Sequence, residues 1–235
     1  MIKGVIFDVD GTLLDSMPAW KDASLRYLAS LHVEGEKDLS EKLERMSIEE
    51  GAAYVKERYK LEQSPEEIAA GTVKIVEDFY VHEAKLKPGV RDLLEKIEEQ
   101  KIPMVIATSS IREHVEAALK RLGVFSHFRQ VFTCSEVGMG KRQPEIYERA
   151  GGYLQANPEE ICVFEDALHA VATAKKAGFY TVAVYDAANG KDWTEITSLA
   201  DYSVRSLSEL YPLIREKMSK GKNHEKNYPG KPEYS

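Results

Sequence analysis

Short apolar runs alternating with amphipathic helical stripes constrain this chain more than any other feature. Runs at residues 2–7, 103–107, 130–133, 161–164 and 181–184 have the length and unbroken hydrophobicity of buried strands. Between them, Val90, Leu93, Leu94 and Ile97 recur at i, i+3, i+4 and i+7, entered by Pro88-Gly89. Ile111, Val115, Ala118, Leu119 and Leu122 repeat that spacing, with Gly123 placed as a C-terminal cap. Leu168, Val171 and Ala174 do the same ahead of Gly178. Strands apolar on both faces need helices on both sides. The expected class is therefore α/β, a doubly wound parallel sheet with a Rossmann-like core. Ligands of such sheets lie beyond the carboxyl ends of the strands, and chemistry is sought there.

Residues 15–85 break the alternation. They hold no convincing strand. Trp20, Ala23, Tyr27, Leu28 and Leu31 form one helical stripe. Ser47 with Glu50, and Ser64-Pro65 with Glu67, read as capping-box starts of further helices. The pattern predicts an inserted all-helical subdomain at 15–85, a core made of 1–14 and 86–218, and a flexible polar tail at 219–235.

A chain of 235 residues, 43% hydrophobic and 30% charged, can bury such a core and an insertion beside it. A net charge of −7 argues against a nucleic-acid partner, which would need a basic face. No apolar run approaches the ~20 residues of a membrane span. The stretch from Val5 to Phe7 passes straight into Asp8, unlike a signal peptide. Cys134 and Cys162 both sit in apolar, strand-like stretches, as buried thiols of a reducing cytoplasm would.

The strand ends carry the chemistry. After the first strand comes Asp8-Val9-Asp10-Gly11-Thr12. Residues i and i+2 of an extended chain point the same way, so Asp8 and Asp10 can converge above the sheet. Asp10-Gly11 alone is an ordinary turn signal. The second strand ends in Thr108-Ser109-Ser110, alone an ordinary helix cap. The third is followed by Gly140-Lys141, and the fourth ends in Glu165-Asp166. A lone lysine is usually a solvated charge, and an acidic pair can be a helix cap. Taken together, these junctions bring carboxylates, hydroxyls and a lysine to one sheet edge. So many acidic groups in one cleft repel unless a cation joins them. Oxygen ligands favour a hard ion such as Mg2+. Thr108 and Lys141 supply a donor and a positive charge for phosphoryl oxygens.

In this order, Asp8-x-Asp10-Gly11-Thr12, Thr108, Lys141 and Glu165-Asp166 resemble the four motifs of the haloacid-dehalogenase-like hydrolases. The stretches from Gly140-Lys141 to Pro144-Glu145-Ile146-Tyr147, and Phe164-Glu165-Asp166-Ala167, are similar to the phosphoglycolate phosphatase and β-phosphoglucomutase branch. The helical insertion resembles that branch's small cap. The resemblance covers nearly everything but the tail. It implies Asp8 as nucleophile and Asp10 as acid/base. It also implies Thr108, Ser109 and Lys141 as phosphate-binding groups, with magnesium held by Asp8, Asp10 (through its backbone carbonyl), Asp166 and, through water, Glu165. Trp20, Lys21 and Arg45 are candidates to face the substrate from the cap.

The expected function is a phosphatase acting on a small phosphorylated metabolite, of sugar- or polyol-phosphate type, working as a monomer. The alternative is a sugar phosphomutase. Mutases of the branch have a His where this chain has Trp20 and an Arg where it has Ile48, and losing both polar contacts disfavours that alternative. A phospho-accepting signalling module is disfavoured by length and by its phospho-accepting aspartate lying on a middle strand.

Overall fold

The computed structural model describes residues 2–43, 46 and 48–210. Six parallel strands form one sheet in the order β3-β2-β1-β4-β5-β6. They are β1 Gly4–Phe7, β2 Met104–Thr108, β3 Phe128–Thr133, β4 Ile161–Glu165, β5 Tyr180–Val184 and β6 Tyr202–Val204. The apolar runs thus all become strands. β6 carries no such signal, being three residues long and only partly buried.

Every residue of β1, β2 and β4 is buried, which is why these strands read as unbroken apolar runs. Alternate side chains feed two cores. Val5 and Phe7 pack with Leu94 and Ile97 of α5 (Val90–Glu99) and Val115 of α6 (Arg112–Arg121). Ile6, Val105 and Val163 pack on the other face with Tyr147 of α8 (Glu145–Leu154) and Ala174 of α9 (Leu168–Lys176). Gly123 and Gly178 follow α6 and α9 at φ of 68° and 90°, the left-handed cap geometry their positions predict.

Four helices lie between β1 and α5: α1 Met17–Ser30, α2 Leu39–Leu43, α3 Ile48–Tyr59 and α4 Pro65–His82. They share a core of Tyr27, Leu28, Leu39, Val55 and Ile68. Ala19 and Ala23 of α1, with Val76, Phe79 and Tyr80 of α4, instead join the sheet's core. Helices α1 and α4 therefore tie the insertion to the sheet. The Ser64–Glu67 capping box opens α4, with the Ser64 amide donating to Glu67 at 2.7 Å and the Glu67 amide to Ser64 at 3.2 Å. Arg45, Ser47 and the segment from residue 211, including the tail, lie outside the described residues.

Cys162 is a buried thiol in β4, as expected. Cys134 is not in a strand: it opens the short helix α7 (Cys134–Val137) and is only half-buried. The apolar stretch ends at Thr133 because its hydroxyl accepts the Glu136 amide and starts the helix.

Candidate active site

Strand order reverses at β1, which lies between β2 and β4, so the crevice at its carboxyl end is the natural ligand site. Asp8 follows β1 directly, and the pairing of Phe7 with Phe164 sets it beside Glu165. Its amide donates to the Phe164 carbonyl at 3.0 Å.

Lys141 reaches this point from the segment before α8. Its ammonium donates to Asp8 Oδ1 and, at 2.6 Å, to Glu165 Oε1, which also accepts from the Tyr147 hydroxyl at 2.7 Å. All four residues are buried. Burial alone would lower the Lys141 pKa, but the carboxylates of Asp8 and Glu165 outweigh it and hold it above its ordinary value. Asp8 is pushed up to about 7, first by burial and then by Glu165, against the pull of Lys141. Asp166 is also raised well above the usual range, by burial and then by Asp8 and Glu165.

Asp8, Glu165 and Asp166 each offer one oxygen within 4.8 Å of the others. Asp8 Oδ2 is buried without a hydrogen-bond partner. An orphaned Asp8 oxygen, beside an Asp166 whose ionisation burial also opposes, fits a divalent metal, which would supply the missing positive charge. Gly11 makes room: at φ 84° it passes so close to Asp166 that a Cβ there would lie 2.2 Å from Oδ2. Only glycine suits both the turn and the contact.

The Asp10 side chain belongs to a second group. Ser16 donates to its Oδ1 at 2.5 Å, Ser110 donates to its Oδ2 at 2.6 Å, and Tyr80 donates to Oδ1. Ser16 stands at the N-cap of α1, yet its hydroxyl makes no cap bond and serves Asp10 instead. The Trp20 indole N–H donates to the Tyr80 hydroxyl at 3.0 Å. Trp20 thus reaches Asp10 through Tyr80, while Lys21 is exposed. Thr108 is buried at the end of β2, where its hydroxyl accepts the Ser110 amide at 3.0 Å. Ser109 is exposed, its hydroxyl 3.4 Å from the Cys134 sulfur.

Sequence reasoning missed a brace around Asp166. The Lys87 ammonium donates to the Gly11 carbonyl at 2.6 Å, the Tyr185 carbonyl at 2.7 Å and Asp186 Oδ2 at 2.8 Å. Asp186 Oδ1 accepts the Ala188 amide at 2.9 Å, and the neighbouring Asn189 donates to Asp166 Oδ2 at 2.7 Å. Partners that orient a metal-binding carboxylate typically change affinity by 10–100-fold when removed. Asn189→Ala is therefore expected to raise the dissociation constant of a divalent metal about tenfold, with kcat at saturating metal changed by less than about threefold. Titration calorimetry of the metal checks this, and unchanged affinity would contradict the brace.

A family model described as haloacid dehalogenase-like hydrolase matches residues 2–178. The phosphorylated carbohydrates phosphatase of Thermotoga maritima is 29% identical, over 85% of this chain and 93% of that protein. Hexitol phosphatase B of Escherichia coli is 26% identical, over 89% and 94%. The crystal structure of a putative β-phosphoglucomutase from Thermotoga maritima superposes with a TM-score of 0.81 at 28% identity, over 92% of this chain and 99% of that one. The fold agrees with that structure, and the matched model spans most of the chain: this chain is an enzyme that belongs to the haloacid dehalogenase-like hydrolases.

Proposed function

We propose that the protein is a magnesium-dependent phosphatase of small sugar- or polyol-phosphates that works through an aspartyl-phosphate on Asp8. The observation that carries this reading is the meeting of Asp8, Lys141, Glu165 and Asp166 at the switch point, with Asp8 Oδ2 buried and unpartnered. The named phosphatases of phosphorylated carbohydrates and hexitols support the substrate class.

The chemistry then divides between the two groups. The Asp8 carboxylate attacks phosphorus in line, and the bond to the leaving oxygen breaks as Asp10 gives that oxygen a proton. Asp10 next takes a proton from water. The resulting hydroxide attacks phosphorus, releases inorganic phosphate and returns Asp8 as a carboxylate. Lys141 offsets negative charge on the phosphoryl oxygens, and Thr108 and Ser109 donate to them. Magnesium, held by Asp8, Asp166, the Asp10 backbone carbonyl and, through water, Glu165, would supply further charge neutralisation at those oxygens. The helical insertion acts as the cap of this site, and the hydroxyls of Ser16 and Tyr80 link its first and last helices to Asp10.

Cys134 and Cys162, both present as thiols, suit a reducing, cytoplasmic setting. Among the described residues no helix is long and apolar enough to cross a membrane.

The test is to incubate the purified chain and Mg2+ with a panel of sugar and polyol monophosphates, following phosphate release and phosphate migration together. Release is expected to exceed migration, and to stop with EDTA and return with Mg2+. Migration outpacing release many-fold would make the protein a mutase, and full activity in excess chelator would remove the metal from the mechanism.

A further inference from the structure

The three hydroxyls that meet Asp10 come from three parts of the chain. Ser16 stands just before α1, Tyr80 in the last turn of α4, and Ser110 just after β2. Two of them donate to one atom: Oδ1 accepts from Ser16 at 2.5 Å and from Tyr80. Oδ2 accepts from Ser110 at 2.6 Å, and no second donor reaches it among the described residues. Tyr80 is fully buried, and its oxygen accepts the Trp20 indole N–H at 3.0 Å. That oxygen also lies 3.3 Å from the Ser110 hydroxyl, but each of the two has a single proton, and both protons go to Asp10.

The two oxygens of Asp10 are therefore not equivalent. A carboxylate oxygen offers about two lone-pair sites. Both sites of Oδ1 are taken, while Oδ2 keeps one. Ser110 also ties Oδ2 to the end of β2, since its amide donates to the Thr108 hydroxyl at 3.0 Å. Oδ2 is thus the oxygen bonded to the loop proposed to bind the phosphoryl group.

We infer that Tyr80 is a positioning residue for Asp10: fixed by Trp20, it keeps Oδ1 occupied, so that Oδ2 carries the proton that Asp10 transfers. The inference rests on the phosphatase reading and deepens it. In the first step the electron pair of the breaking P–O bond passes to the leaving oxygen, which takes the proton from Oδ2. In the second, a water O–H bond breaks and Oδ2 regains a proton as the hydroxide attacks phosphorus. Without the Tyr80 hydroxyl, Oδ1 has an open site and the proton settles on either oxygen. The last torsion of an aspartate is broad, so the carboxyl also turns more freely. A serine hydroxyl rotates to suit its partners, whereas the phenol oxygen is held in the plane of a buried ring.

The experiment uses Tyr80→Phe, which removes one oxygen and keeps the ring in the core. The quantity measured is kcat/KM of the full chain with Mg2+, which covers the steps up to departure of the leaving group. A hexitol phosphate and phenyl phosphate have leaving oxygens that need a proton. The leaving groups of 4-nitrophenyl phosphate and acetyl phosphate depart as stable anions. Tyr80→Phe should lose about tenfold or more on the first pair and less than about threefold on the second. A residue that only supported the fold would lower all four alike. Trp20→Phe keeps Tyr80 but removes the N–H that fixes its oxygen, and should widen the same ratio by about threefold. It decides the question if circular dichroism shows the Tyr80 variant unfolded. Asp10→Asn is the benchmark. If it widens the ratio and neither Tyr80→Phe nor Trp20→Phe does, the inference is overturned and the phosphatase reading stands. If Asp10→Asn lowers all four substrates alike, or the parent releases phosphate from none, the reading falls together with the inference.

Discussion

Replacing Asp8 by asparagine is expected to lower kcat by roughly 10⁴-fold or more, the scale seen when a covalent nucleophile is removed. The amide keeps the size of the carboxylate but cannot attack phosphorus, and it offers the metal one neutral oxygen. The fold should survive. Burial, and the Glu165 carboxylate beside it, already oppose the Asp8 charge, so its removal costs the folded protein little. Lys141 keeps its bond to Glu165 at 2.6 Å. A metal-free melting temperature within a few degrees of the parent, beside vanished turnover, is the expected pair of results.

Lys141→Met should damage both activity and stability, and the stability loss should depend on pH. Removing one partner of a buried ion pair typically costs 3–5 kcal/mol, because the other charge is left uncompensated. Here both Asp8 and Glu165 lose the ammonium. Without its lowering influence the Asp8 carboxyl rises above about 7. The folded variant then binds a proton that the unfolded chain, with an ordinary carboxyl, has released. Stability of the metal-free variant therefore falls as pH rises from about 4 toward 8. Its deficit against the parent should be largest near pH 8 and shrink toward pH 5. Added Mg2+ should recover part of it, since a ligand that binds only the folded state stabilises that state. Denaturant melts at three pH values, with and without Mg2+, check this. A deficit that grows on acidification would contradict the charge account.

The parts of this molecule legible in sequence are those whose signal is local. β1, β2 and β4 are buried on both faces, so burial itself wrote an apolar run. Asp8, Thr108 and Glu165-Asp166 stand at the ends of such runs, and a parallel sheet brings those ends together whatever the loops do. β6 was silent because three residues, two of them half-covered, make no pattern. Lys87, Asp186 and Asn189 were silent for another reason. Lys87 meets a carboxylate 99 residues away, and in sequence it is one more lysine beside a Pro-Gly turn. Tyr80 closes on Asp10 from 70 residues away, from a helix stripe that reads equally well as core. Trp20 was legible as a position but not in its direction: its N–H is committed to Tyr80.

The central claim is that a phosphoryl group passes through Asp8. The direct measurement is to quench the enzyme in acid during turnover with Mg2+, reduce the acyl phosphate with borohydride, and locate the product by mass spectrometry of the digested chain. Conversion of Asp8 to homoserine, absent without substrate and absent in Asp8→Asn, is the predicted result. Rapid turnover with Asp8 unmodified, or with the reduced residue found at Asp10 or Asp166 instead, would contradict it.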